Sequence, residues 1–199
     1  VLGSSSKKRY INAKDGDGMT CLHHCALKGC SKSLELLISS GADITLLDMY
    51  GRAALHYASA NCHFKCVLLL INQGEANVNV RDHDGCTALH VAAANDTEGN
   101  CLENLLSHKA DPNIPDLQGY TALHYAASNG NSTAIMSLVE LETGPLESTK
   151  DPAILGMANG CTPLNIRNFS LDNTRENKQI PQSYALYLAS AGGHEEALI

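Results

Sequence analysis

The chain is 199 residues long, 44% apolar and 18% charged, which suits one domain or two small ones and supplies enough apolar material for a packed core. Fourteen Lys and Arg face twenty-one Asp and Glu, a net charge of −7, and the longest basic run is Lys7, Lys8 and Arg9, so nucleic-acid binding driven by phosphate neutralisation is set aside. The longest apolar run, Cys66 to Ile71, falls far short of the roughly 18 to 20 residues that a membrane span needs.

The first residue is Val1, and no charged segment followed by an apolar one opens the chain. The expectation is a piece of a longer protein without a secretory signal. Eight cysteines are few for a disulfide scaffold, and most fall inside apolar helical patterns, where a reduced thiol acts as a small hydrophobe. A reducing compartment, the cytoplasm with the nucleus also open, is expected. The glycosylation tripeptides at Asn95, Asn131 and Asn168 are then chance matches.

Four units follow in chain order. Their tetrads, Thr20-Cys21-Leu22-His23, Ala53-Ala54-Leu55-His56, Thr87-Ala88-Leu89-His90 and Thr121-Ala122-Leu123-His124, put their Leu residues 33, 34 and 34 apart. In step with them run Asp-x-x-Gly turns at Asp15 to Gly18, Asp48 to Gly51, Asp82 to Gly85 and Asp116 to Gly119. After each tetrad come Ala residues, a break near Gly29, Cys62, Asp96 or Gly130, and in the first two units a Leu-rich stretch at Leu34 to Ile38 and Val67 to Ile71. Each unit therefore reads as helix, turn, helix and hairpin. Single insertions at Glu75 and within Thr97 to Asn100 account for the 34-residue steps.

The period and the TxLH tetrad resemble the ankyrin repeat. That resemblance implies an all-α solenoid of stacked antiparallel helix pairs, with a β-hairpin finger projecting from each junction. Thr20, Thr87 and Thr121 are placed to cap the first helix of their units. Ala53 breaks that pattern, and Ala53→Thr is expected to stabilise the domain by about 1 kcal/mol, read as a raised urea midpoint. Only Pro163 follows a Thr as the ankyrin pattern favours.

Residues 1–140 read as four repeats preceded by the tail of another. Residues 141–182 lose the period and read as an irregular insertion, with Asn159 to Asn165 a degenerate half-unit within it. This segment is expected to be the most mobile and the first cut by protease. Residues 183–199 restore an ankyrin-like first helix at Tyr184 to Leu198, truncated in the second.

Several constellations invite chemistry. Cys21, His23, His24, Cys25 and Cys30, and separately Cys62, His63 and Cys66, suggest zinc, but Cys25 and Cys66 fall on expected core faces and His23 holds the tetrad position, so no metal site is assigned. The ladder of His23, His56, His90 and His124 has no recurring nucleophile beside it. Its imidazoles instead suit hydrogen bonds between one unit's helix and the adjacent loop. No GxSxG, Gly-rich phosphate loop or HExxH occurs, so no catalytic residue, cofactor site or metal ligand is assigned, and the chain is read as a non-enzyme.

What varies between units is the finger tip: Asp17 and Met19, then Met49, Tyr50 and Arg52, then His83 and Asp84, then Leu117, Gln118 and Tyr120. A constant frame with variable tips is how a scaffold carries specificity, and Tyr, Met and Arg are types enriched in interface cores. These ten residues are the expected protein-contacting row.

Three stretches are more particular: GRAALHYASANCHFKC at Gly51 to Cys66, GCTALHVAAANDTEGNCLENLL at Gly85 to Leu106, and KADPNIPDLQGYTALHYAA at Lys109 to Ala127. With Ala60-Asn61-Cys62, the Asn95 to Gly99 insertion and Asp111-Pro112-Asn113, they resemble the ankyrin-repeat regulatory subunits of serine/threonine protein phosphatase 6. The likeness runs over about residues 11–140, resumes at Ser183 to Leu198 and fails between. It implies a non-catalytic subunit that joins the phosphatase catalytic subunit through a second regulatory subunit. An ankyrin adaptor tethering a membrane or cytoskeletal protein is the alternative. The ankyrin resemblance also implies that Asn12, Asn79 and Asn113 occupy the finger position modified by asparaginyl hydroxylases, which would add one oxygen to each.

Overall fold

In a computed structural model of the chain, the structure describes residues 10–143. Within them lie four antiparallel helix pairs: α1 (Cys21–Lys28) with α2 (Ser31–Ser39), α3 (Ala54–Ala60) with α4 (Phe64–Asn72), α5 (Ala88–Asn95) with α6 (Asn100–Ser107), and α7 (Ala122–Ser128) with α8 (Ser132–Thr143). The odd-numbered helices form one layer, each packed on the next, and the even-numbered helices form a second layer behind them.

Residue size explains the layering. Ala26, Ala58, Ala92 and Ala126 are fully buried, and their small side chains let neighbouring inner helices approach closely. Leu34, Val67, Leu70, Leu102, Leu105 and Leu138 fill the space between the layers. One pair alone would leave these faces in water, and stacking removes them from it.

Each pair reverses at a left-handed residue: φ is 71° at Gly29, 55° at Cys62 and 65° at Gly130. The third unit departs from this, because its insertion moves the left-handed residue to Gly99, φ 80°. Asp96 is buried there, and its carboxylate accepts hydrogen bonds from the Cys101 and Leu102 amides at 2.6 and 3.0 Å, two donors that the start of α6 would otherwise leave unpaired. Asn131 of the next unit donates to the Asp96 carbonyl at 3.0 Å. The insertion is thus part of the frame. The other added residue, Glu75, is absorbed in left-handed backbone, φ 54°.

Two local details differ from the sequence expectation. The fingers contain no strand among the described residues; each is a tight turn closed by two backbone bonds, such as Asp48 N–H to Arg52 O at 3.0 Å and Gly51 N–H to Asp48 O at 3.2 Å. The Thr hydroxyls do more than cap the first helix of their units, since they also pair with the tetrad imidazole: Thr20, Thr87 and Thr121 Oγ1 each lie 2.9 Å from Nδ1 of the His three residues on. Ala53 keeps only the backbone bond to His56 Nδ1, 3.1 Å, so the hydroxyl in Ala53→Thr would supply the bond its neighbours already have. The expected insertion at residues 141–182, the half-unit with Pro163 and the returning helix at residues 183–199 lie almost wholly outside the described residues.

Candidate partner interface

The interface is built from the tetrad outward. In units one to three the imidazole faces two ways. Nδ1 of His23, His56 and His90 accepts the backbone N–H of the residue that begins the tetrad, at 3.1 Å each. Nε2 then carries the proton and donates to a carbonyl of the next finger: Arg52 O at 3.1 Å, Cys86 O at 3.2 Å and Tyr120 O at 3.1 Å. Burial pushes these imidazoles below their ordinary range, to about 4 for His90, which keeps them neutral, the form in which one nitrogen accepts while the other donates. The ladder read in the sequence is therefore a set of clasps between consecutive units.

Each finger is shaped by its Asp. Asp48 Oδ1 accepts the Tyr50 and Arg52 amides, both at 2.8 Å; Asp82 Oδ1 takes those of Asp84 and Cys86; Asp116 Oδ1 takes those of Gln118 and Tyr120. The second carboxylate oxygen meets the residue that follows the tetrad His: His24 on Asp15, Tyr57 on Asp48, Tyr125 on Asp116. Val91 stands in that place in the third unit and has no polar atom to offer. Arg52 of the preceding finger fills the gap, its Nε 3.4 Å from Asp82 Oδ2. The sequence reading missed this role; its available signal was the repeated Leu-His-Tyr at Leu55 to Tyr57 and Leu123 to Tyr125.

The fingers are also bonded to one another. Met49 N–H donates to Asp17 O at 3.0 Å, His83 N–H to Tyr50 O at 2.9 Å, and Leu117 N–H to Asp84 O at 2.9 Å. This close approach needs Gly51, where φ is 75° and a Cβ would lie 2.5 Å from the His83 ring, and Gly85, where φ is 82° and a Cβ would lie 2.8 Å from Leu117 N.

The ten expected contact residues divide accordingly. Asp17, Met49, Tyr50, His83, Leu117 and Gln118 are exposed, with Met49 at 54%, Tyr50 at 44% and Leu117 at 47%, and Asp84 is half-buried. Met19 is a correction: it is 8% exposed, because the residue after the turn Gly points back toward the helices. Arg52 and Tyr120 share that position and are half-buried. The Arg52 guanidinium also sits over the Tyr50 ring, 5.4 Å from its centre.

Asn12, Asn79 and Asn113 occupy equivalent finger positions but do not form one cluster. Asn12 Oδ1 accepts the Asp43 amide and Asn79 Oδ1 the Asp111 amide, both at 2.9 Å, each reaching the next unit. Among the described residues the cysteines are free; Cys66, Cys86 and Cys101 are buried, while Cys21, Cys30 and Cys62 are exposed. Burial raises the Cys101 thiol to about 12. Among the described residues no group of three His, Cys, Asp or Glu side chains is placed to hold a metal ion, and no helix is long and apolar enough to cross a membrane.

Comparison with known proteins agrees with this architecture. The family model described as ankyrin repeats in three copies matches residues 4–82, 22–116 and 73–151. The chain is 35% identical over 65 residues to Notch-regulated ankyrin repeat-containing protein A of Danio rerio, covering 33% of this chain and 58% of that protein. It is 30% identical over 69 residues to Target of rapamycin complex 2 subunit AVO2 of Saccharomyces cerevisiae, covering 35% and 16%, and 31% identical over 77 residues to Tyrosine-protein kinase HTK16 of Hydra vulgaris, covering 39% and 10%. The chain thus spans less than two thirds of each of these relatives, and none of the three is a phosphatase regulatory subunit.

Proposed function

The chain belongs to the ankyrin-repeat family, and from that premise we propose that this protein-interaction scaffold is a non-catalytic regulatory subunit of a phosphatase 6 type complex, bound to the catalytic subunit through a second regulatory subunit in the cytoplasm. The observation that carries the proposal is the particular third unit. Its Asn-Asp-Thr-Glu-Gly insertion, with Ala60-Asn61-Cys62 before it and Asp111-Pro112-Asn113 after it, is the feature on which the resemblance to those subunits rests. Asn95 Nδ2 donates to Ala60 O at 3.0 Å, so two of these departures from the common repeat act together. The exposed Met49, Tyr50 and Leu117 support a protein partner, apolar and aromatic side chains being what interface cores use.

Affinity purification from animal-cell lysate with the 199-residue chain is expected to recover the phosphatase 6 catalytic subunit together with a second regulatory subunit. Recovery of a membrane or cytoskeletal protein with neither phosphatase subunit would overturn the proposal in favour of an adaptor. The adaptor reading is supported by the occurrence of similar repeats within proteins named as a kinase and as a target of rapamycin complex subunit.

A further inference from the structure

The first unit carries a thiol at each end of its inter-helix turn, Cys25 and Cys30, where the second unit has Ala58 and His63 and the fourth Ala126 and Asn131. Cys30 N–H donates to Cys25 O at 2.9 Å and Gly29 N–H to Ala26 O at 3.4 Å, with Gly29 left-handed between them at φ 71°. In this doubly bonded helix ending, the side chain after the left-handed glycine commonly meets the one five places before it. A carbonyl-to-amide bond of that length sets the two Cα atoms about 5.5 Å apart, as in a hydrogen-bonded pair across β-strands. That lies within the roughly 4.4 to 6.8 Å that a disulfide spans.

The two side chains also leave the turn on the same side. At the Cys30 position of later units, His63 Nε2 reaches back to Leu27 O at 3.2 Å and Asn131 Nδ2 to Ala93 O at 3.0 Å, so this position points toward the unit before. At the Cys25 position Ala58, Ala92 and Ala126 are fully buried, whereas Cys25 is half-buried. It therefore lies on the face of α1 turned away from α3, the helix packed on the other side. Cys30 is exposed on that same face.

Neighbouring thiols fit less well. Cys21 stands one turn before Cys25 on α1, and helical neighbours four apart hold their Cβ atoms about 5–6 Å apart, beyond the roughly 3.5–4.5 Å of a disulfide. Cys66, in the next unit, is 1% exposed and shielded from any oxidant.

We propose that Cys25 and Cys30 form a dithiol–disulfide site at the Gly29 turn, oxidised by a low-molecular-weight disulfide such as oxidised glutathione. The exposed Cys30 thiolate attacks one sulfur of the oxidant, whose S–S bond breaks and releases one glutathione thiolate. Cys25 then gives up its proton and attacks the Cys30 sulfur, expelling the second glutathione. The protein loses two protons and two electrons, and the oxidant leaves as two thiols. Burial, then Cys30 and Cys21, push the Cys25 thiol up, which suits it to the second step. The bond would lock the turn on which the second unit leans, since the His63 ring lies 2.8 Å from where a Gly29 Cβ would stand. This inference is independent of which partner the scaffold serves.

The test is incubation of the folded chain with oxidised glutathione, blocking of free thiols, denaturation, trypsin digestion and mass spectrometry. Trypsin cuts after Lys14, Lys28 and Lys32, so the expected product joins peptide Asp15–Lys28 to peptide Gly29–Lys32 with the loss of two hydrogens, and reduced glutathione in excess reverses it. Cys21→Ser is expected to keep the cross-link. Cys25→Ala, which installs the residue of the other three units, is expected to lose it and to retain one glutathione on Cys30. A stable glutathione adduct on Cys30 of the unsubstituted chain overturns the proposal. So does a cross-link that survives Cys25→Ala, or one that joins Cys30 to Cys66.

Discussion

His90→Ala is expected to cost about 4 kcal/mol of stability, read from urea unfolding followed by far-UV circular dichroism. The ring is 1% exposed and holds three groups: the Thr87 amide at 3.1 Å, the Thr87 hydroxyl at 2.9 Å and the Tyr120 carbonyl at 3.1 Å. Alanine strands them in a dry interior, each at a cost of roughly 1 to 3 kcal/mol before relaxation. It also opens a cavity beside Tyr125, whose ring packs edge-on at 5.2 Å between centres. Because Tyr120 lies in the next finger, the damage extends beyond one helix to the joint between units. Lys65→Ala, on an exposed position of α4, should move the midpoint by no more than about 0.5 kcal/mol. A loss below about 1 kcal/mol for His90→Ala would mean the clasp is ornamental.

Mild acid is expected to weaken the same joints. Folding lowers the His90 pKa from 6.5 to about 4, chiefly by burial, so between those values the unfolded chain binds more protons than the folded one. Its contribution is complete above pH 6.5 and is lost as pH falls toward 4. From His90 alone the loss between pH 7 and pH 5 is about 2 kcal/mol. His23 and His56 shift in the same direction for the same reason and add to it. Asp84 and Asp116 are raised by burial; their protonation relieves the folded state and opposes the trend, from the raised pKa values downward. The expected result is a urea midpoint that falls steadily from pH 7 to pH 5, with a shallower slope in His90→Ala. A midpoint independent of pH over that interval would contradict neutral, buried imidazoles.

The repeat and its stacking were legible in the sequence because two spacings, the Leu-His tetrad and the Asp-x-x-Gly turn, keep step, and stacking is the way units of this size bury Leu34, Val67, Leu102 and their like. The role of the His ladder was legible for a related reason: a residue that recurs at one position without a catalytic companion has a job in the frame. What escaped the sequence depended on exchange between neighbours. Val91 cannot satisfy Asp82, and only the fold shows Arg52 reaching back from the preceding finger to do so. The inward turn of Met19 follows from the positive φ of Gly18, 77°, which redirects the chain after the tip. The Asn95 to Gly99 insertion is visible in the sequence as an extra length, but the hold of Asp96 on the first amides of α6 depends on the fold. The tip surface was legible only as variation between units; the bonding of each finger to the next, as from Met49 N–H to Asp17 O, needed the fold.

The central claim is that neutral imidazoles join successive units and so hold the tip row in register, and the most direct test observes the ring nitrogens themselves. In a long-range proton–nitrogen NMR spectrum at pH 7.5, His23, His56 and His90 should each show a neutral ring protonated on Nε2, with Nδ1 carrying the shift of a hydrogen-bond acceptor. Rings protonated on Nδ1, or doubly protonated at that pH, could not accept the tetrad amide and would contradict the joint on which the scaffold depends.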